Sequence, residues 1–314
     1  MLDAFFHPVS RSVAARRVMT PLLRSYIRYF PVASGKERLW LRVVDKYLAW
    51  HSYEFVARTS FGQRVEGNTR DMIQQYLYYF GEWEPDLTAW IRTRLAPGDV
   101  FVDVGANIGY YALLGAATVG PSGGVVAIEA SPTIFRQLQS NLARNRAQNV
   151  RAVNVAAADR RGTLQLFRGP DHNVGQSTLI AGGGYEPDVM VEAAPLTEIL
   201  TPPELAGTRL IKIDVEGAEW AVLQGLGATT LTGCRANLEL IVELHPQYLA
   251  QQGRRAEEVV DLLGQAGFHA YRLESSYWPF TFGVRTLKPS PRLRPPIETE
   301  TVAVFSRQKG DYLE

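Results

Sequence analysis

"DVFVDVGANIGYYALLGA", Asp99 to Ala116, reads as a buried strand, a glycine turn and the start of a helix. Turns of this kind cradle nucleotides, and the turn residues decide which one. A dinucleotide fingerprint needs G-x-G-x-x-G after the strand. Here the turn is Gly105-Ala106-Asn107-Ile108-Gly109, and Asn107 stands where the second glycine belongs. That glycine lets the backbone approach a pyrophosphate closely, so pyrophosphate binding is disfavoured. Asp103, just ahead of the turn, adds negative charge where phosphates would gather. A ligand with a cationic amine and no phosphate suits these residues better.

Outward from the turn, the chain alternates strands and helices. "GGVVAIEAS" (residues 123–131) predicts the next strand and "PTIFRQLQSNLARN" (132–145) the next helix. "VRAVNVAAAD" (150–159) predicts a third strand. This rhythm implies an open parallel sheet with right-handed crossovers. It then breaks into short strands, "GTLQLFRG", "QSTLI" and "DVMVEAA", before "TRLIKIDVEGAEWAVLQGL" (208–226) restores strand-then-helix. "ANLELIVELHP" is another buried strand, "RAEEVVDLLGQAG" a helix ended by Gly267, and "FHAYRL" and "TETVAVFSR" the closing strands. Glu129 ends the second strand about 20 residues beyond the turn, where a carboxylate can accept both ribose hydroxyls.

Composition narrows the classes. The 314 residues carry a net charge of +1, which argues against nucleic-acid binding by bulk electrostatics. Cys234 is the only cysteine, so there is no internal disulfide and no cysteine metal cluster. That fits a reducing compartment, and a cytoplasmic location is expected. No run of about 18 apolar residues predicts a transmembrane helix, and the first 20 residues lack a continuous signal-peptide core. Residues 1–95 are rich in aromatics and arginine. Val18, Leu22, Leu23, Tyr26, Ile27 and Phe30 recur at helical spacing with Arg16, Arg17, Arg24 and Arg28 among them. This is an accessory helix with arginines facing water, or a membrane-surface or partner helix. "YEFVARTSFGQRVEG" (53–67) predicts a hairpin and "DMIQQYLYYF" (71–80) a helix. Tyr76, Tyr78, Tyr79, Phe80 and Trp83 wall a pocket, stack on a sugar or fill a core.

"FVDVGANIGYYALL", "IEASP", "VNVAAAD", "LIKIDVEGAEWAVLQG" and "IVELHP" stand in order along the chain. Together they resemble the FkbM family of S-adenosylmethionine-dependent methyltransferases, with "KIDVEGAE" the most specific piece and "DVGANIG" next. "FGEWEP" and "DHNVGQSTL" resemble the family's lead-in and its loop after the third strand. The resemblance runs from about Tyr53 to Arg307. It implies an α/β fold of the Rossmann-like class I methyltransferase type, a mostly parallel seven-stranded sheet whose last strand is antiparallel, with an N-terminal helical extension. It implies a methyltransferase domain over 96–314, an accessory or cap region over 1–95, and O-methylation of a hydroxyl on a sugar, glycolipid or secondary metabolite. The partner is then a small-molecule or glycan acceptor; a homo-oligomer is compatible with it.

The resemblance places Asp103, Gly105, Asn107 and Gly109 along the methionine part of S-adenosylmethionine, and Glu129 at the ribose. It places Ala157, Ala158 and Asp159 near the adenine, although Asp159 also suits the start of a turn at Arg161-Gly162. Glu84 precedes the core and is within reach of the cofactor's polar end. The reaction centre belongs beyond the carboxyl ends of the strands. Asp214 and Glu216 lie at the end of the fourth parallel strand, Glu243 and His245 at the end of the fifth. Two readings stand. Asp214 or His245 is the general base, His being suited by its ordinary pKa near neutrality. Alternatively Asp214, Glu243 and His245 bind a divalent cation that acidifies the acceptor hydroxyl. The absence of a compact ligand motif puts the base ahead of the metal. Structural roles compete with both: Asp214 as helix cap, Glu216 in the first helical turn, His245 as a strand end. Lys212, inside the strand, is expected to pair with a carboxylate. His172, in the polar loop "GPDHNVGQST" with Asn173 and Ser177, is a further candidate beside the acceptor. Two other classes compete: a nicotinamide-dependent oxidoreductase, against which Asn107 counts, and a non-catalytic binding protein on a methyltransferase fold.

Overall fold

A computed structural model describes residues 11–30, 35–49, 51–169, 177–180, 185–274 and 288–313. These fall into two compact units that divide between Pro85 and Asp86.

The first unit opens with the helix Val13–Tyr29, whose Ser12 Oγ accepts the Ala15 amide at 3.3 Å. The helical turn Lys36–Leu39 runs into a π-helical stretch, Trp40–Leu48. A hairpin of β1 (Glu54–Arg58) and β2 (Arg64–Asn68) follows, as expected, and then the helix Met72–Tyr79, capped by Asp71. Ile27, Trp40, Val44, Phe55, Tyr78 and Tyr79 make a common core. The Trp40 ring lies edge-on to those of Tyr76 and Tyr79, at 5.7 and 5.3 Å between centroids. The aromatic run Tyr76–Phe80 therefore fills this core.

The helix Pro85–Arg94 leads into the second unit, where the quoted stretch forms strand β3 (Val100–Val104) and the helix Tyr110–Val119. Phe101, Val102 and Val104 have no exposed surface, and the helix is apolar all round because both its sides are covered. β4 (Gly124–Ile128) and the helix Pro132–Asn145 follow, then β5 (Val150–Val153). The predicted third strand is broken in two at Asn154. Its side-chain amide donates to the carbonyls of Glu129 and Ala130 (2.8 and 3.0 Å), and the chain turns away into a second sheet. That sheet comprises β6 (Ala156–Ala157), β7 (Gly162–Arg168) and β8 (Glu186–Ala194), in the order β6-β8-β7.

The main chain path returns with β9 (Thr208–Ile213), β10 (Glu239–Leu244), β11 (His269–Arg272), the short β12 (Ser290–Pro291), β13 (Thr301–Ser306) and the short β14 (Tyr312–Leu313). Among the described residues the main sheet has seven strands in the order β11-β13-β10-β9-β3-β4-β5. β3, β4, β5, β9 and β10 are parallel to one another, and β13 is antiparallel to both its neighbours. This is the Rossmann-like class I methyltransferase arrangement, with the last strand of the sheet reversed. The order switches direction at β3, so the crevice beyond the carboxyl ends of β3, β4 and β9 is where such sheets bind ligands. No described helix is long and apolar enough to cross a membrane.

Candidate active site

Gly105 and Gly109 both adopt positive φ, +81° and +92°. A Cβ on Gly105 would lie 1.8 Å from the Asp214 carbonyl oxygen, so glycine here lets the end of β3 lie against the end of β9. Asn107 is left-handed as well (φ 49°), and its Oδ1 accepts the Ile108 amide at 2.7 Å. Short polar residues tolerate that conformation better than branched ones. Glu129 reaches across from β4 to this turn. Its Oε2 accepts the Asn107 amide at 2.9 Å and its Oε1 the Ser131 amide at 2.8 Å. Each carboxylate oxygen keeps a second lone pair.

Asp103 has no exposed surface, and neither of its oxygens has a hydrogen-bond partner among the described residues. Burial pushes its carboxyl up to about 6, against the pull of the Lys212 ammonium. Burial likewise pushes Glu129 up to about 7, against its two amide donors. Two acidic side chains thus stand buried beside the turn, and for Asp103 only the Ala112 amide comes near as a donor, short of good hydrogen-bond geometry. This is poor ground for a phosphate and good ground for a cation that also offers hydroxyls.

At the ends of β9 and β10 the acidic side chains and the imidazole do converge. Side-chain atoms of Asp214, Glu243 and His245 lie within 4.8 Å of one another. Lys212 and Asp214 are two apart in an extended segment and so share a face; Lys212 Nζ donates to Asp214 Oδ2 at 2.7 Å and lies over the Tyr111 ring. Burial raises the Asp214 carboxyl, but Lys212, a hydrogen bond with Glu243 and His245 outweigh it and hold Asp214 below the usual range. His245 Nε2 is buried without a hydrogen bond among the described residues, 4.0 Å from the carboxyl groups of both Glu216 and Glu243. Its Nδ1 lies 3.7 Å from Glu300.

Glu216 joins the cluster through a strained backbone. Its φ is +53°, and its carbonyl accepts the Thr178 hydroxyl at 2.6 Å. Burial first, then the charges of Asp214, Glu219 and Glu300, push its carboxyl up to about 9. The helix therefore starts later than expected, at Glu219, and neither Asp214 nor Glu216 serves it. Glu219 Oε1 takes the Val215 and Gly217 amides instead, at 3.2 and 3.0 Å.

The remaining candidates are dispersed. The Ala157 backbone pairs with Ala194, and the Ala158 amide donates to the Ala194 carbonyl at 3.0 Å. Asp159 is exposed and pairs with Arg160. Glu84, in the first unit, is buried with φ 38°. His172 and Asn173 lie outside the described residues. The contributions of Thr178 and Glu300 were not read from the sequence, because each reaches the site only through tertiary contact.

A family model described as the methyltransferase FkbM domain matches residues 103–270. The 31-O-demethyl-FK506 methyltransferase FkbM of Streptomyces tacrolimicus is 31% identical over 161 residues, covering 42% of this chain and 61% of that protein. The AMB antimetabolite synthetase AmbE of Pseudomonas aeruginosa is 29% identical over 209 residues, 55% of this chain and 10% of that one. The crystal structure of a methyltransferase FkbM from Methylobacillus flagellatus aligns at 17% identity and a TM-score of 0.40, over 67% of this chain and 43% of that chain. This chain thus spans less than two thirds of each of these relatives. The family match begins at Asp103 and takes in the glycine turn, Glu129 and the cluster at the ends of β9 and β10; over more than half its length, the chain belongs to the FkbM methyltransferase domain family.

Proposed function

We propose that the chain is an S-adenosylmethionine-dependent methyltransferase that O-methylates a hydroxyl on a sugar, glycolipid or secondary metabolite. The observation that carries the cofactor is Asp103, buried beside the glycine turn with no well-formed hydrogen bond on either oxygen among the described residues. An ammonium group supplies the missing partner, and Glu129 keeps lone pairs for a ribose. S-adenosylmethionine supplies a methyl carbon already activated by its sulfonium, and leaves as S-adenosylhomocysteine. In this reading residues 96–314 form the methyltransferase domain and residues 1–95 are accessory to it.

The chain's own contribution is to hold the acceptor oxygen in line and to take its proton. His245 Nε2 suits the second task, being buried and without a hydrogen bond among the described residues. The Glu243 carboxylate at 4.0 Å, and Glu300 on the far side of the ring, would stabilise the imidazolium that results. Asp214 is already engaged by Lys212 and Glu243, so it orients the cluster rather than accepting the proton. One observation favours a second reading: the Asp214–Glu243–His245 trio is compact enough to hold a divalent cation. The ammonium 2.7 Å from Asp214 counts against it, because it competes for the same oxygen. With a true acceptor, His245→Ala is expected to keep S-adenosylhomocysteine binding and lose most methyl transfer, and the wild type to ignore EDTA. Activity lost to EDTA and restored by magnesium or manganese selects the metal reading. Calorimetry that detects NAD binding and no S-adenosylhomocysteine binding ends both.

A further inference from the structure

The outward face of the helix Val13–Tyr29 is apolar. Val18 and Leu22 are each 59% exposed and Tyr29 is 63% exposed. With Ala14, Pro21 and Ser25 they make one uncharged stripe at helical spacing. The arginines do not share that face. At about 100° per residue, Arg17, Arg24 and Arg28 fall in a row along one edge of the stripe. Arg24 Nε donates inward to the Tyr78 carbonyl at 2.7 Å, and Arg28 donates to the Arg58 carbonyl. The helix thus carries apolar residues on two faces, an inner one where Met19, Leu23 and Ile27 pack and an outer one that the usual surface helix gives to charges.

We infer that this helix docks the protein on an anionic lipid surface. An amphipathic helix lying in the interface buries its apolar face at the headgroup boundary and sets basic residues against anionic headgroups. The charge fits: Arg11 and Arg17 are exposed beside the stripe, and no acidic residue stands between Arg11 and Lys36, although the whole chain carries only +1. The aromatic end fits as well. Phe30 is 47% exposed and stacks on Tyr26 at 4.9 Å between centroids, next to Tyr29, and such rings settle at the headgroup level. A second copy of the helix offers a matching apolar stripe but no carboxylate for the exposed Arg11 and Arg17, so it satisfies half of the surface. A bilayer with anionic headgroups satisfies both halves.

The test is co-sedimentation of the full chain with vesicles of phosphatidylcholine alone, and of phosphatidylcholine and phosphatidylglycerol in equal amounts. Binding is expected to the anionic vesicles only, and to weaken with salt as surface charge is screened. The double variant Val18→Asp/Leu22→Asp is expected to reduce that binding about tenfold or more, since it places two charges in the stripe. Arg17→Glu, a single exposed change at the stripe's edge, is expected to reduce it less. Circular dichroism and S-adenosylhomocysteine binding confirm that both variants remain folded. Equal binding to both vesicle types, no binding to either, or undiminished binding by the double variant overturns the inference. So does light scattering that finds a dimer which the double variant dissolves while vesicles bind nothing.

Discussion

Glu129 joins three parts of the site with one carboxylate: the end of β4, the glycine turn through the Asn107 amide, and the start of the next helix through the Ser131 amide. Each charged hydrogen bond of this sort is worth roughly 1.5–3 kcal/mol. Truncation to alanine therefore disturbs the turn as well as any ligand. Glu129→Gln is the sharper test. It keeps one acceptor for the backbone but cannot accept at both oxygens, and it is expected to weaken S-adenosylhomocysteine binding about tenfold or more while leaving the fold intact. Calorimetry beside a thermal melt separates the two effects; unchanged affinity in a folded variant removes Glu129 from the site. The same carboxylate gives a pH dependence. Burial holds Glu129 near 7 and Asp103 near 6. Both must be ionised to receive an ammonium and ribose hydroxyls, so binding should tighten, with proton release, as pH rises from about 5.5 to 8. A flat or falling affinity over that window contradicts the assignment.

At the scale of elements, the ends of β3 and β9 meet through a glycine. Gly105→Ala places a Cβ 1.8 Å from the Asp214 carbonyl oxygen, and that neighbour is backbone and cannot swing aside. Added to the positive φ, this predicts a loss of stability of about 2 kcal/mol or more, together with loss of S-adenosylhomocysteine binding. A variant with wild-type melting temperature and affinity shows that the two strands are not held as described. The sequence made such strand ends legible because local pattern dictates them. Val100–Val104 is apolar but for Asp103, the glycine turn follows at once, and Lys212 and Asp214 alternate onto one face. What stayed hidden depends on contacts distant in the chain. Asn154 ends β5 by bonding to the carbonyls of Glu129 and Ala130, and nothing in "VRAVNVAAAD" shows the break. Glu216 is left-handed because Gly217 and the Thr178 hydroxyl complete its turn, whereas an acidic residue ahead of an apolar run reads as a first helical turn. The outward apolar face of Val13–Tyr29 was equally hidden, since spacing defines a stripe but not which way it points.

Across the whole molecule, the second unit gathers five acidic side chains at one end of the sheet. Asp103, Glu129, Asp214, Glu216 and Glu243 stand at strand ends, with Lys212 and His245 among them. Such crowding lowers the stability of the empty protein once the groups ionise. The sign follows from Glu216. Its ordinary value is 4.5, and in the fold it rises to about 9. Between those values the folded chain holds a proton that the unfolded chain has released, so stability is fully present below about 4.5 and is lost as pH rises toward about 9. Glu129 and Asp103 act in the same direction but are spent by about 7 and 6. Asp214, held low, contributes stability that disappears only in acid. His51 and His269, lowered by burial from 6.5, oppose the trend only below that value. The interval from pH 7 to 9 is therefore where Glu216 acts, with Glu219, which burial also raises, beside it. Chemical denaturation of the ligand-free chain should show stability falling across it, and Glu216→Gln, which has no proton to lose, should flatten the fall. If wild type and variant decline in parallel, another group carries the slope, and the acidic cluster at the ends of β9 and β10 is not organised as described.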